Sequence, residues 1–581
     1  MIKNNRFLIN AFIGCIIALT GCSDTVYISS TEHVADESTR IKLDKGELVG
    51  FHAPNGAKTW LGIPFAKPPV GDLRWRAPQQ IAPWDETLAA TQHAPRCVQY
   101  TNFLDELEGV EPDQLIGSED CLYLDIYAPS KTPPTQGWPV MLWVHGGSNT
   151  WGGANQYDAS LLAESKNVVV VVVQYRLGPL GWFFHPSLNQ SAQEQQTANF
   201  ALLDIISSLQ WVQDYITSFA GNKKNITLFG ESAGAFDIYA LLSIEKSKDL
   251  FHKAILQSGA AFSESLESAA NHEYSAENVV SELLKTSNPH AAQIRNIPVD
   301  VLYKYYKKNG KIELPRLIAD GVTIPKEGVR AYLNKHRNEI AKPLIIGSNK
   351  DEAKFYFATN PELVNRFVGV YPYLPDEELY NRVANYTNKM WRTLAVNKQA
   401  QELLTEQYTP IFTYRFDWDD EPSYYGIDIK TLIGTSHTIE IPFVFGTFNN
   451  FMGKLGEILF DEDNKVEREL LSAQMMSYWT QFAYTSAPNR GRENELPLWS
   501  AVNLQNNKAM ALDAKSGKGL TMYATNLSVE AILTQIKQDP SIESGAKRCF
   551  VATQIASFLD VIDYRIAEFK AQMCTGLNAS S

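Results

Sequence analysis

Six consecutive valines, Val168 to Val173, constrain this chain more than any other stretch. The run is too short and too β-branched for a buried helix, and it offers no polar face to water. It therefore reads as a strand covered on both sides, which is the environment of a central strand in a parallel sheet. "PVMLWV" (139–144), "NITLF" (225–229), "KAILQSG" (253–259) and "KPLIIGSN" (342–349) read the same way. Between them, "TANFALLDIISSLQWVQDYI" (197–216) places Leu202, Ile205, Leu209 and Val212 at helical spacing, and "AFDIYALLSI" (235–244) reads as a further helix. Strand and helix in regular alternation predict a doubly wound α/β sheet. Gly46-Glu47 and Asn55-Gly56 fit hairpin turns, so the sheet is expected to open with antiparallel strands. Residues 265–335 are helical in pattern and are expected to pack over the sheet. No Pro/Gly/Ser-rich linker interrupts the chain, so residues 41–575 are expected to form one domain.

Within that frame "FGESAGA" (229–235) stands between a strand and a helix. Gly230 and Gly234 lie two residues either side of Ser232, where a tight turn has no room for side chains. Strand–turn–helix is the context in which such a serine is thrust out at the C-terminal edge of a sheet. The helix behind it points backbone N–H groups at any developing negative charge. A serine hydroxyl is unreactive at neutral pH without a base. The histidines that follow are His252, His272, His290, His336 and His437. His437 is set apart by its place in "GTSHTIEIPFVF", a loop after the predicted strand "IFTYRF". An acid must orient that imidazole. Asp351 and Glu352, in the turn after "PLIIG", are placed for it, as are Asp417 and Asp419, and spacing does not choose among them. "HGGS" (His145 to Ser148) follows a strand, where glycine-rich oxyanion loops lie. Glu231, beside the serine, serves either as polar packing or to tune the electrostatics of the site.

The formal net charge of -13 argues against nucleic acid as a partner. Residues 1–21 combine Lys3 and Arg6 with an apolar stretch from Phe7 to Thr20, which is signal-peptide length and too short to span a bilayer comfortably. They end in Leu19-Thr20-Gly21, and with Cys22 this resembles a bacterial lipobox. The resemblance implies a lipid on Cys22, a tether over residues 22–40, and residence in the bacterial cell envelope. Ser23 after the cysteine favours the outer membrane. Cys97, Cys121, Cys549 and Cys574 then remain. An even number in an oxidising compartment suggests two disulfides. Of three possible pairings, the nearest-neighbour one closes two loops of about two dozen residues, each worth roughly 3 kcal/mol. The sequence has no C-x-x-C and no H-E-x-x-H, so no metal is expected, nor any cofactor.

Several ordered blocks resemble the type B carboxylesterase family, which includes cholinesterases and neuroligins. They are "LGIPFAKPPVGDLRWRAPQ" (61–79), "SEDCLYLDIYAP" (118–129), "VQYRLGPLGW", "FGESAGA", "AILQSG", "NKDEA" and "HTIEIPFVFG". The resemblance implies an α/β-hydrolase fold with helical insertions over the C-terminal edge of the sheet. It also implies a Ser232–His437–Glu352 triad, with oxyanion donors at the N–H groups of Gly147, Ser148 and Ala233. Ser258 would support the acid, and Cys97 would pair with Cys121. Two positions depart from the pattern. Ser148 stands where a third glycine is usual, and Glu111 stands where cholinesterases carry a choline-stacking tryptophan. The expected function is carboxylic ester hydrolysis through an acyl-enzyme, on a substrate other than a choline ester. The alternatives are a non-catalytic surface binding protein on the same fold, or a lipase or acyltransferase.

Overall fold

In the computed structural model the valine run lies inside an eleven-stranded sheet. The structure describes residues 33–188, 197–308, 311–367, 371–404, 409–448, 452–503, 507–559 and 562–575. The expected signal segment and Cys22 lie outside the described residues. In chain order the strands are β1 (Phe51–His52), β2 (Lys58–Pro64), β3 (Tyr123–Ala128), β4 (Trp138–Val144), β5 (Val169–Val173) and β6 (Gly221–Glu231). They continue as β7 (Lys253–Gln257), β8 (Leu344–Asn349), β9 (Ile411–Phe416), β10 (Lys508–Leu512) and β11 (Thr521–Ala524). Across the sheet the order is β11-β10-β9-β8-β7-β6-β4-β5-β3-β2-β1. From β5 through β10 neighbours run parallel, and both margins are antiparallel.

The period of two along a strand explains why six valines in a row are tolerated. Val169, Val171 and Val173 enter one hydrophobic core, while Val170 and Val172 enter the core on the other face. β4 divides likewise: Val140, Leu142 and Val144 face the first core, Met141 and Trp143 the second. A fully buried Val or Leu contributes about 1.5–3 kcal/mol relative to exposure. The two-sided burial of β4 to β8 thus makes the sheet a stiff platform. The helices Phe200–Tyr215 (α1) and Ala233–Ser243 (α2) lie where the apolar spacing places them.

The early hairpin differs in detail from the sequence expectation. The turn falls at Asp44-Lys45, and Gly46 opens the second strand, paired with Leu43. A Cβ on Gly46 would meet the Trp84 indole at 2.3 Å, so the glycine answers to that ring rather than to the turn. This hairpin belongs to a separate three-stranded sheet. The Asn55-Gly56 turn joins β1 and β2 as expected.

The insertion between β7 and β8 is mainly helical, with helices at Leu266–Asn271, Ala276–Leu284, Ala291–Arg295, Val299–Tyr306 and Val329–Ile340. Cys97 is bonded to Cys121, and Cys549 to Cys574. The first bridge is buried in the core. Replacing Cys97 and Cys121 by serine is expected to cost about 3 kcal/mol of unfolding free energy. Urea denaturation of the double variant beside the parent checks this.

Candidate active site

Ser232 sits between β6 and α2 with φ 55° and ψ −126°. A non-glycine residue in such a region stores roughly 1–3 kcal/mol of strain and persists only where its surroundings enforce it. Here the enforcement is visible. Its N–H donates to the Gln257 carbonyl on β7 at 2.9 Å. The end of β4 crowds the turn on its other side. A Cβ on Gly230 would lie 2.6 Å from the Val144 carbonyl oxygen, and one on Gly234 would lie 2.0 Å from the same atom. The two glycines thus have one cause: the backbone of β4 passes through the space their side chains would need.

β8 ends at Asn349, and the turn after it carries Glu352 into a fully buried position. Its Oε1 accepts the Ser258 hydroxyl at 2.5 Å and the Asn349 N–H at 2.7 Å. Its Oε2 lies 2.6 Å from Nδ1 of His437. A buried carboxylate at that distance fixes the ring so that Nδ1 carries the proton and Nε2 is the basic nitrogen. His437 is itself 5% exposed. Nε2 lies 3.1 Å from Glu231 Oε1, and it makes no hydrogen bond of good geometry with Ser232 Oγ. Unliganded hydrolases commonly show this contact long or misaligned, and it tightens when substrate binds.

The other candidates have local partners. Asp419 pairs with Lys350 at 2.6 Å and Lys430 at 3.0 Å, and Asp417 with Arg415. Asp351 faces Asn388 at 3.4 Å and Lys354 at 3.8 Å. His252 accepts the N–H of Ile226, His272 accepts that of Tyr274, His290 precedes the helix Ala291–Arg295, and His336 pairs with Glu339. None of these groups meets His437.

Burial pushes the Glu231 carboxyl well above its ordinary range, against the opposing pull of His437 and with help from Glu440 and Glu352. Burial alone would lower His437. The charges of Glu231 and Glu352, with the hydrogen bond to Glu352, outweigh it and carry the imidazole well above its usual value. His437 therefore holds its proton more tightly beside Glu231 than it would alone. A carboxylate on each side of the ring also favours the imidazolium that forms when a serine is deprotonated.

Sequence reading missed Glu440. It is fully buried, accepts from Asn349 Nδ2 at 2.6 Å and Gln257 Nε2 at 3.2 Å, and is pushed up to about 7, chiefly by burial and then by Glu352. It stands three residues after His437, but its partners are 91 and 183 residues away. Nothing in the local sequence marks it.

The "HGGS" loop follows β4. Gly147 has φ 96°, and a Cβ there would fall 1.9 Å from the Trp151 carbonyl oxygen. A Cβ on Gly146 would come within 3.1 Å of Ser232 Cβ, so the loop and the serine adjoin. Ser148 keeps the left-handed conformation, φ 54°, without being glycine. Aromatic rings stand near His437. Phe355 and Tyr356 stand 6.0 and 5.8 Å from its ring, Phe103 packs on Phe355, and Phe558 packs on Tyr356. Glu111 is exposed, in the loop after the helix Phe103–Leu107.

A parallel-centred sheet in this order, with a strained serine at its edge and an imidazole–carboxylate pair beside it, defines an α/β-hydrolase of the serine type. The chain belongs to the carboxylesterase family, whose model matches residues 37–368 and 360–529. It is 31% identical over 487 residues to the para-nitrobenzyl esterase of Bacillus subtilis, spanning 79% of this chain and 92% of that relative. It is also 31% identical over 499 residues to human carboxylesterase 5A, spanning 80% of this chain and 84% of the relative. Among solved structures, a thermophilic PNB esterase superposes with a TM-score of 0.65 at 29% identity, covering 85% of this chain and 99% of that one. The protein is a carboxylic ester hydrolase.

Proposed function

We propose that Ser232, His437 and Glu352 perform this hydrolysis. Ser232 Oγ attacks the ester carbonyl carbon while His437 Nε2 takes its proton, and Glu352 stabilises the imidazolium. The carbonyl oxygen becomes an oxyanion held by the N–H groups of Gly147, Ser148 and Ala233. The tetrahedral intermediate collapses, the C–O bond to the alcohol breaks, and Nε2 gives the alcohol its proton. Water then attacks the acyl-Ser232 ester by the same route and releases the acid. The observation that carries this reading is the continuous relay Ser258–Glu352–His437, at 2.5 and 2.6 Å, beside a serine held in a strained turn. The test is hydrolysis of p-nitrophenyl acetate and butyrate by the protein lacking residues 1–22. The rate should saturate with substrate and show a burst equal to the enzyme concentration. Background rates would overturn the reading.

Glu231 tunes the base. Its charge beside Nε2 raises His437, so the basic form arises only at higher pH. Glu231→Gln removes that charge, and the acid limb of the kcat/KM profile is expected to move down by about one pH unit or more. An unmoved limb with unchanged rates would assign Glu231 to packing alone.

In this reading Cys22 carries a lipid and the residues between it and Asp36 tether the domain to the bacterial envelope. The support is the Leu19-Thr20-Gly21-Cys22 string after a short apolar stretch. The expected tether end at residue 40 is too late. Asp36 N–H donates to Gly50 O, and the carbonyl of Thr39, 1% exposed, accepts from Trp60 Nε1, so residues 36–40 pack on the domain. Cys22→Ala is expected to release the protein from a detergent phase into the aqueous phase. Equal partitioning of variant and parent would sink the anchor.

A further inference from the structure

The loop that offers Gly147 and Ser148 is fastened at each of its carbonyl groups. His145 O accepts the Tyr175 hydroxyl at 2.6 Å, and Gly146 O lies 2.8 Å from His145 Nδ1. Gly147 O accepts the N–H groups of Thr150 and Trp151 at 2.9 and 3.0 Å, and Asn149 O accepts that of Gly178 at 2.8 Å. Ser148 O accepts Nη1 of Arg316 at 3.1 Å. A peptide is planar and trans, so a carbonyl held on one side sends the following N–H to the other. Fastening Gly146 O and Gly147 O therefore aims the N–H groups of Gly147 and Ser148 outward.

Arg316, and the side-chain bond of Asn149 to Asp237, come from residues that nothing above assigns to the reaction. Ser148 and Asn149 are consecutive non-glycine residues in the left-handed region, φ 54° and 59°, where such residues stay only if held. Asn149 is 3% exposed, and its Nδ2 donates to Asp237 Oδ1 at 2.9 Å while its Oδ1 lies 3.2 Å from the Tyr175 hydroxyl oxygen. Asp237 is fully buried on α2, five residues after Ser232, on the helix whose first residue is Ala233. The Asn149–Asp237 bond thus joins the two segments that supply the oxyanion donors. Burial pushes Asp237 up to about 7, while Asn149, Tyr175 and Arg316 pull it back toward the anion. Arg316 arrives from the insertion between β7 and β8. Its own N–H donates to Glu264 Oε1 at 3.2 Å, and Glu264 N–H donates to Leu317 O at 3.0 Å, which sets how far the guanidinium reaches.

We propose that Asn149, Asp237 and Arg316 form a clamp that holds the N–H groups of Gly147 and Ser148 in register with that of Ala233. They are positioning residues: they touch the loop and the helix, not the substrate. The inference rests on Ser232 being the nucleophile served by those donors.

The experiment compares Arg316→Ala, Arg316→Lys, Asp237→Ala, Asp237→Asn and Asn149→Ala with the parent, using p-nitrophenyl butyrate and an alkyl trifluoromethyl ketone. The ketone adds to the serine as a hemiketal whose oxyanion needs the same donors. Loss of one oxyanion donor costs about 10²–10³ in turnover, so loosening two donors is expected to cost about 10- to 100-fold. Arg316→Ala and Asp237→Ala should lower kcat by about that factor, with KM changed by less than about threefold. The ketone Ki should rise in proportion to the fall in kcat/KM, as transition-state stabilisation requires. Arg316→Lys should recover part of the loss. Asp237→Asn keeps an oxygen that can accept from Asn149, so it should stay close to the parent. Asn149→Ala, which removes the same bond from the loop side, stands in if Asp237→Ala does not fold. Unchanged kcat and Ki in Arg316→Ala and in Asp237→Ala, or in Asn149→Ala in its place, with parent activity present and Ser232-dependent, would overturn the clamp alone. Parent activity that survives Ser232→Ala would instead overturn the reading beneath it.

Discussion

Ser232→Ala is expected to lower kcat/KM for p-nitrophenyl butyrate by about 10⁴-fold or more, with the fold intact. Removing the nucleophile from a serine hydrolase removes the covalent route altogether, and the oxyanion hole alone retains only a small residual rate. The fold should not suffer. Ser232 Oγ makes no hydrogen bond among the described residues, and the strained turn is enforced by its backbone bond to Gln257 and by the passage of β4. Unfolding free energy should stay within about 0.5 kcal/mol of the parent. Steady-state rates beside a urea transition check both halves. An inactive variant that has also lost its cooperative transition would leave the loss to misfolding rather than to chemistry.

Gly234→Ala is expected to damage stability and activity together. Its Cβ would lie 2.0 Å from Val144 O and 2.8 Å from His145 O. Both are backbone atoms, so no side chain can swing aside to make room. Relief requires the end of β4 to move away from α2. That end continues into His145-Gly146-Gly147, so the same displacement takes that loop, proposed above to hold the oxyanion, away from Ser232. Overpacking of this kind costs about 3 kcal/mol or more when the obstruction is rigid. The expected result is a lowered urea midpoint and a loss of kcat that exceeds any change in KM. A variant with parental midpoint and parental kcat would show that the crowding around the turn is not what requires glycine.

The legible parts of the sequence were those whose cause is local. The valines of β5 needed no partner to declare a strand covered on both faces, and the two cores divide them by simple alternation. "GESAG" became informative through its flanks, the strand before it and the helix after it. His437 stood out through the loop that holds it. The acid was ambiguous for a physical reason. Asp351 and Glu352 are neighbours in one turn, and a turn sends adjacent side chains in different directions. Only the positions of Asn349 N–H and Ser258 Oγ, gathered on Glu352 Oε1, separate them. Gly46 misled because a glycine can serve a turn or make room for a ring, and Trp84 lies 38 residues further along. Glu440 and Arg316 were not visible at all. Their partners come from other strands and from the insertion, and no spacing encodes that meeting.

The proposed mechanism requires that Ser232 be the group that becomes acylated. The most direct measurement is labelling of the full chain with a fluorophosphonate, followed by mass spectrometry of its peptides. Predicted is one phosphonyl group per chain, on the peptide containing Ser232, with hydrolysis of p-nitrophenyl butyrate falling in step with its incorporation and no adduct in Ser232→Ala. Complete incorporation at another residue, or full hydrolytic activity in a protein fully labelled at Ser232, would contradict it.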